Sequence, residues 1–395
     1  MNKPKAIWAV LLCSISLVCQ AGTNMQTELE PFTTGPYAVG STNMQVSEKY
    51  VNIGDEEMHQ YLLGIPVSAQ QPRYITDLLK FPDLAWVTQV QVPKQADLYG
   101  SASGQTLPVV SYLTYPTTKP QSRNSYAFPY HDSVYGVFEH MLVADESPIF
   151  AESISRYPLI MLAHGASAHG IYDIEHAQSL ARQGYIVAVV FYGDERSVNA
   201  DGSYEHAGFL RPLVTQAVLD SILQSETFGP HIDLDNIGIS GHSFGGFTAL
   251  AIAGGDIQGR GDSVSDPRFT AAVIAAPWVG HYEKQKEVFA FGGNNTGLKP
   301  VKTPVLTLFG TKDKSTLASF ILPATKHFAG PSYVVELIDQ PHIFESGSWQ
   351  DRNNWEMLFF AAYLKDDKQA LQKLKLGLSM KGGNQDLQRL EYQRQ

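Results

Sequence analysis

Six short apolar runs follow Pro158, and their spacing constrains the fold more than any other feature of the chain. They occupy residues 159–163, 185–191, 237–240, 271–276, 304–309 and 333–338. Runs without polar alternation are typical of strands that are buried on both faces of a parallel sheet. Helical patterns lie between or after them, at residues 172–183, 212–224, 247–253 and 354–364. We therefore predict an α/β fold, with a mostly parallel central sheet and helices on both of its faces.

The regions on either side of these runs differ from them in composition. Residues 22–157 are rich in Pro, Gly, Ser, Thr and Tyr; residues 109–115 have strand composition, whereas 74–79 and 134–143 fit either a helix or a strand. We predict that 22–157 form a β-rich N-terminal portion with long loops, which starts the sheet rather than forming an independent domain. Residues 158–365 are the predicted α/β core. The polar residues 366–395 are predicted to form a helix and a frayed tail.

The N-terminus has the layout of a secretory signal peptide. Lys3 and Lys5 precede a nearly continuous apolar stretch at 6–18, and small residues follow at 19–22. We predict a signal peptide at 1–21 with cleavage after Ala21, and hence an exported protein, periplasmic or secreted. An uncleaved anchor and a lipoprotein are the alternatives, although the apolar stretch is shorter than the about 20 residues that span a bilayer.

Export and charge limit the classes of partner. Both cysteines, Cys13 and Cys19, lie in the predicted signal peptide, so its removal would leave no thiol for a disulfide. No later segment is long and apolar enough to cross a bilayer, so we expect no stable membrane span after cleavage. The formal net charge of −10 argues against nucleic acid as a partner. The oligomeric state is left open.

The segment Gly241-His242-Ser243-Phe244-Gly245-Gly246 lies between a predicted strand and a predicted helix. A G-x-S-x-G motif in this setting is typical of a nucleophile elbow, in which a serine occupies a sharp turn. Small residues two positions before and after the serine let the helix pack close to the strand. The N-terminus of that helix would offer N–H groups to a developing anion. An ordinary tight turn is the alternative.

A serine hydroxyl is a weak nucleophile that needs a base, and the base needs an orienting acid. In such folds the acid and then the histidine follow along the chain, each in a loop after a strand. Asp313 follows the run at 304–309, and His342 follows the run at 333–338. The alternatives are a solvated loop carboxylate and a surface or packing histidine. Asp339 is a poorer acid because it shares a short loop with His342.

An oxyanion hole needs two converging backbone N–H groups. We assign one to Phe244 and the other to Ala166, with Ser167 as the alternative for the second. The same loop carries His164 and His169, and His176 follows on the next helix. Histidine is a zinc ligand, but the spacing is irregular, so we expect neither a metal nor another cofactor. His242 is interpreted as a structural residue, and Trp278 as either a substrate contact or a core residue.

Several segments resemble the platelet-activating-factor acetylhydrolase and dienelactone-hydrolase-like branch of the α/β-hydrolases. The matching segments are GPYAVG at 35–40, HGA at 164–166, ARQGYIV at 181–187, GHSFGG at 241–246, the region of Arg211 and Pro212, and residues 232–239. The resemblance covers most of 159–363 and implies the α/β-hydrolase fold and serine esterase chemistry.

The sequence departs from that branch at two points. Acetylhydrolases of this type carry the acid after the strand that follows the nucleophile helix, where this chain reads AAPW at 275–278. The acid is therefore expected at Asp313, as in dienelactone-hydrolase-like members and polyester-cleaving relatives. Dienelactone hydrolase itself uses a cysteine nucleophile, whereas this chain has Ser243. Phospholipid and dienelactone specificity are therefore not implied.

These residues together predict a serine hydrolase that cleaves carboxylic esters through an acyl-enzyme intermediate. Its substrate would be a small-molecule or lipid-like ester. A lipase, phospholipase or peptidase acting through the same three residues is the alternative among enzymes. The alternative of another class is a catalytically silent binding protein that keeps the fold.

Overall fold

The computed structural model describes residues 28–45, 74–80, 85–118, 125–130, 133–142, 147–151, 156–166, 168–192, 203–259, 264–280, 290–292, 294–381, 383–384 and 388–393. The predicted signal peptide and Ser167 lie outside these residues.

A ten-stranded mixed sheet forms the centre of the described chain. Its strands are β1 (Ala38–Ser41), β2 (Trp86–Gln91), β3 (Thr106–Thr117), β4 (Tyr157–Ala163), β5 (Ile186–Phe191), β6 (Ile232–His242), β7 (Phe269–Ala275), β8 (Val305–Gly310), β9 (Ser332–Leu337) and β10 (Gln388–Gln393). The spatial order is β10-β9-β8-β7-β6-β4-β5-β3-β1, and β2 also pairs with β3.

The six predicted apolar runs form the six adjoining parallel strands, from β5 through β4, β6, β7 and β8 to β9. The prediction of a mostly parallel sheet is therefore confirmed. The sheet is mixed because β3 and β10 join its two sides antiparallel, and β1 and β2 pair antiparallel with β3.

Alternate side chains of the parallel strands enter two different cores. In β4, Leu159 and Met161 belong to one apolar cluster, whereas Ile160 and Leu162 belong to the other. Period-two alternation sends neighbouring side chains to opposite faces of a sheet. Every residue of β4, β5 and β8 is buried, which explains why these runs contain so few polar residues.

Helices cover both faces of the sheet. They are α1 (Tyr74–Leu78), α2 (Ala96–Tyr99), α3 (Ile174–Arg182), α4 (Tyr204–Gln224), α5 (Phe244–Ile252), α6 (Ala318–Thr325), α7 (Ser346–Leu364) and α8 (Lys368–Leu374). Buried residues of α4 and α5 belong to the cluster that contains Leu159, and those of α3 and α7 to the cluster that contains Ile160. The C-terminal ends of the parallel strands are thus held at one edge of a sheet packed on both faces.

Two predicted boundaries were wrong. Helix α4 begins eight residues before the predicted start at Pro212 and contains this proline. Its N-terminus is capped by Ser203, whose Oγ accepts a hydrogen bond from the His206 N–H at 3.3 Å. Helix α7 likewise begins at Ser346, eight residues before the predicted start at residue 354. The missed turns of α4 are buried too, but Gly208 and Pro212 are unfavourable in a helix interior and so mask its beginning. The missed turns of α7 bury polar side chains, among them Asp351 and Arg352, so they show no apolar spacing.

The predicted frayed tail was wrong for residues 388–393. Helix α8 is present, with Asp367 as its N-cap, but the chain then continues into β10, which pairs antiparallel with β9. The Asn384 N–H donates to Asp351 Oδ2 of α7 at 2.9 Å. A strand at the edge of a sheet has only one neighbour and tolerates polar residues, so its composition resembles that of a loop.

Glu356 of α7 forms a buried ion pair within its own helix and also contacts α3. Arg352 Nε donates to Glu356 Oε1 at 2.6 Å, and His176 Nε2 lies 2.9 Å from Glu356 Oε2. Burial alone would raise the pKa of Glu356, but Arg352 and His176 lower it to about 2. The fully buried carboxylate therefore stays charged between two basic side chains.

We expect Glu356→Gln to destabilise the protein by about 3–5 kcal/mol, because it removes the carboxylate to which the buried Arg352 Nε donates. The folded pKa of Glu356, about 2, lies below the ordinary 4.5, so its contribution is full above pH 4.5 and is lost as the pH falls towards 2. Thermal unfolding at several pH values checks this. The difference in stability between the variant and the wild type should shrink across this window, whereas a constant difference would contradict the assignment. Asp366→Asn, which breaks an exposed pair with Lys368, is the control and should change stability by less than about 0.5 kcal/mol.

Candidate active site

Ser243 occupies the turn between β6 and α5, with φ 56° and ψ −118°. A positive φ is unfavourable for a residue with a Cβ and requires support from its surroundings. The Ser243 N–H donates to the Ala275 carbonyl at 2.9 Å, and the Trp278 N–H donates to the Ser243 carbonyl at 3.0 Å. The end of β7 and the residues after it thus hold the strained serine from both sides.

The glycines around Ser243 are required by close backbone contacts. A Cβ at Gly241 would lie 2.2 Å from the Gly245 carbonyl oxygen, and one at Gly245 would lie 1.9 Å from that of Ala163. Neither distance is compatible with a side chain. The first turn of α5 can therefore approach β4 and β6 only because these positions lack a Cβ, as the G-x-S-x-G motif predicts.

Ser243, His342 and Asp313 form one hydrogen-bonded chain. His342 Nε2 lies 3.0 Å from Ser243 Oγ, and His342 Nδ1 lies 2.7 Å from Asp313 Oδ2. An ionised carboxylate only accepts hydrogen bonds, so it fixes the proton on Nδ1 and leaves Nε2 to accept the serine proton. The side chain of Asp313 is fully buried, whereas that of His342 is 19% exposed. The structure thus brings together the three residues selected from the sequence.

Asp313 is held by the loop that follows it. Its Oδ1 accepts hydrogen bonds from the N–H groups of Ser315 at 2.7 Å and Thr316 at 2.8 Å. Burial favours a higher pKa for Asp313, but the hydrogen bonds from His342 and Thr316 outweigh it and lower the pKa. The carboxylate is therefore ionised and oriented towards the imidazole.

Thr316 is a site residue that the sequence analysis missed. Its Oγ1 lies 2.6 Å from Asp313 Oδ2, 3.0 Å from the Ala276 carbonyl oxygen and 3.3 Å from His342 Nδ1. An aspartate side chain often accepts N–H groups two and three residues further on. The Asp-Lys-Ser-Thr sequence after β8 was the available signal, and it identifies Thr316 as support for the carboxylate.

His242 contacts the loop of His342 rather than the serine hydroxyl. Its Nε2 lies 2.9 Å from the His342 carbonyl oxygen, and the two rings are 4.9 Å apart. Burial and the nearby Arg352 lower the pKa of His242 to about 3, so the ring is neutral at neutral pH. A neutral ring reaches a carbonyl oxygen by donating its Nε2–H. His242 thus links the turn of Ser243 to the loop of His342.

The two residues assigned as oxyanion donors belong to segments that adjoin Ser243. Phe244 is the first residue of α5, and an N–H at this position has no carbonyl partner within its helix. Ala166 follows Gly165 in the loop after β4; a Cβ added at Gly165 would lie 3.3 Å from Ser243 Cβ. The loop therefore contacts the serine directly. The alternative donor, Ser167, lies outside the described residues.

Trp278 lies beside Ser243 in an aromatic group. Its ring centroid is 5.7 Å from that of Phe244 and 5.6 Å from that of Phe247, and the side chain is partly exposed. A small, mostly apolar hollow lies between Trp278 and the start of α6, where Leu317 and Phe320 line it. Trp278 thus packs against the core and also borders this hollow.

The histidines considered as metal ligands make other contacts. His176 pairs with Glu356, His169 stacks on Tyr172 at 4.4 Å, and His164 hydrogen-bonds to the backbone. Within the part of the chain that the structure describes, no group of three or more His, Cys, Asp or Glu side chains is placed to bind a metal ion. None of the described helices combines the length and hydropathy needed to span a bilayer.

Comparison with protein-family models finds no match for the chain, and comparison with curated proteins finds none either. The resemblance to α/β-hydrolases therefore depends on the sequence motifs alone. The fold and the site together define a mixed α/β protein with a serine, a histidine and an aspartate linked at the C-terminal ends of its parallel strands. In open α/β sheets, this edge is where ligands bind.

Proposed function

We propose that the protein is a serine hydrolase of the α/β-hydrolase fold that cleaves carboxylic esters. The observation that carries the proposal is the hydrogen-bonded chain from Asp313 through His342 to Ser243, with the serine on a strained turn before a helix. These three groups supply the acid, the base and the nucleophile of acyl transfer. The strain at Ser243 also favours a functional site, since such conformations concentrate there.

In the proposed reaction, Ser243 Oγ attacks the ester carbonyl carbon while His342 Nε2 takes the hydroxyl proton. The N–H groups of Ala166 and Phe244 bind the resulting oxyanion. Collapse of the tetrahedral intermediate breaks the bond to the alcohol, which receives the proton from His342 and leaves an acyl-enzyme. A water molecule, deprotonated by His342, then releases the acid and restores the serine. Asp313 keeps the proton on Nδ1 and stabilises the imidazolium.

The substrate is proposed to be a small-molecule or lipid-like ester. The aromatic group of Trp278, Phe244 and Phe247, whose Trp278 N–H donates to the Ser243 carbonyl, favours an apolar portion of such a substrate. We also propose export with removal of residues 1–21, on the basis of the N-terminal sequence. N-terminal sequencing of the secreted or periplasmic protein should begin at Gly22, and recovery of an intact N-terminus would contradict cleavage.

A fluorophosphonate probe tests the proposed function directly, because it reacts with activated serine nucleophiles far faster than with ordinary serine hydroxyls. We expect stoichiometric labelling of the folded protein and a phosphonyl adduct on Ser243 in peptide mass spectrometry. Ser240→Ala removes a buried hydroxyl three residues earlier in β6 and should label like the wild type. Absence of labelling in folded protein would favour a catalytically silent binding protein. A para-nitrophenyl ester series from acetate to long acyl chains then separates an esterase from a lipase.

A further inference from the structure

Arg211 lies fully buried in α4, behind the loop that carries Ala166. Its Nη1 donates to the His164 carbonyl oxygen at 2.7 Å, and its Nη2 donates to the Gly165 carbonyl oxygen at 3.2 Å. Two consecutive carbonyl groups are therefore bound by one guanidinium. The planar arrangement of its N–H groups is suited to such a paired contact.

These contacts determine where the N–H groups of the loop point. The Gly165 carbonyl and the Ala166 N–H belong to the same planar trans peptide unit and face opposite directions. A guanidinium on the carbonyl side therefore turns the Ala166 N–H away from Arg211. In the same way, the contact with the His164 carbonyl orients the Gly165 N–H. A Cβ built on Gly165 would lie 3.3 Å from Ser243 Cβ, so the residue whose carbonyl Arg211 binds also borders the serine.

The side chain of His164 also hydrogen-bonds to the Gly165 carbonyl group. Its Nε2 accepts a hydrogen bond from the Tyr192 N–H at 3.3 Å, so the proton of a neutral ring is on Nδ1. That Nδ1–H donates to the Gly165 carbonyl oxygen at 2.8 Å. Burial and the positive charge of Arg211 lower the pKa of His164 to about 3, which keeps the ring neutral. The Gly165 carbonyl thus has two donors.

The guanidinium also contacts the residue that carries the other assigned donor. Arg211 Cζ lies 5.0 Å from the ring centroid of Phe244 and 4.5 Å from that of Tyr192. Cation–π contacts of this length are attractive, and more so when they are shielded from water. One buried positive charge therefore contacts both parts of the assigned oxyanion hole.

We propose that Arg211 is a positioning residue for the oxyanion hole. It fixes the loop so that the N–H groups of Ala166 and Phe244 converge beside Ser243, and its charge favours the negative oxygen of the tetrahedral intermediate. A charge in a water-excluded site acts more strongly than it would in solution. This inference rests on the proposed serine hydrolase function.

The test uses Arg211→Met and a short para-nitrophenyl ester, with the active-site concentration titrated by a fluorophosphonate. We expect kcat per titrated site to fall about 10- to 100-fold, less than the about 10²- to 10³-fold loss on removing an oxyanion donor itself. KM should stay within about twofold of the wild-type value, because the uncharged ester does not need the oxyanion hole in the ground state.

A trifluoromethyl ketone inhibitor separates positioning from a general loss of structure. Ser243 would add to its carbonyl carbon and form a hemiketal oxyanion, so its affinity should fall by the same factor as kcat/KM. Arg211→Lys keeps the charge but cannot hold both carbonyl groups, and we expect an intermediate loss. If Arg211→Met does not fold, the affinity of Arg211→Lys for the ketone decides the question. Arg268→Met removes a partly exposed arginine paired with Asp266 and Asp220 and is the control for losing an arginine.

The outcomes distinguish this inference from the proposed function. A wild-type protein that neither labels nor hydrolyses esters would overturn both. An active wild type whose Arg211 variants keep normal kcat per titrated site and normal ketone affinity would overturn the inference alone. A parallel loss of both quantities, without a change in KM and without an effect of Arg268→Met, would support it.

Discussion

Replacing Ser243 by alanine is expected to lower ester hydrolysis by about 10⁶-fold, the loss found when a serine nucleophile is removed. The reason is chemical, since His342 would still lie beside the site but would have no hydroxyl to deprotonate. Initial rates on a para-nitrophenyl ester measure the loss. Ser240→Ala is the control, because it removes a hydroxyl from the same strand at a buried position. Residual activity above about 1% of the wild-type rate would exclude Ser243 as the nucleophile.

The same position allows the backbone strain to be measured. Ser243→Gly and Ser243→Ala both lack the hydroxyl, but only glycine adopts φ 56° without strain. A strained residue costs about 1–3 kcal/mol, and glycine loses about 0.5–1 kcal/mol through its greater freedom in the unfolded chain. We therefore expect the glycine variant to be the more stable of the two by about 1 kcal/mol in chemical denaturation. Equal stabilities would mean that the turn stores little strain.

Asp313→Asn is expected to lower kcat by about 10⁴-fold while the protein stays folded. An asparagine amide can donate to Nδ1 and so favour the tautomer in which Nε2 carries the proton. That tautomer cannot accept the proton of Ser243. Steady-state kinetics together with circular dichroism measure activity and folding separately.

Asp339→Asn is the matched control for this substitution. Asp339 lies in the loop of His342 with φ 64°, where asparagine is also tolerated, and its side chain is exposed beside Lys312. It should keep near-wild-type turnover. A large loss in Asp339→Asn together with normal turnover in Asp313→Asn would exchange the roles that we assign to the two carboxylates.

The parallel strands could be predicted because their signal is local. Strands such as β4 and β5 are buried on both faces, so apolar residues fill them without interruption. Strand β10 has no such signal, since it forms only because β9 offers it an edge. Whether a polar segment pairs with the edge of a sheet depends on tertiary structure. The pattern of the six residues of β10 alone does not indicate it.

The same distinction applies to the site. Ser243, Asp313 and His342 each follow a strand and could be located from the chain order of their loops. The contacts of Arg211 with the loop after β4, and of His242 with the carbonyl of His342, join segments far apart in sequence. Arginine on a helix is usually solvated, so only its burial distinguishes Arg211 from a surface residue. Thr316 is an intermediate case. It was not predicted as a site residue, although its position three residues after Asp313 is a local signal that could have identified it.

The hydrogen-bonded chain closes only through residue 342, which lies 99 residues beyond Ser243. A nascent or proteolysed chain that stops before β9 would present the serine without its base. Under the proposed function, such a fragment would be inert towards esters even if its early strands had formed. Hydrolysis would then begin only after β9 has joined the sheet. The onset of activity during refolding would therefore show when this part of the sheet has formed.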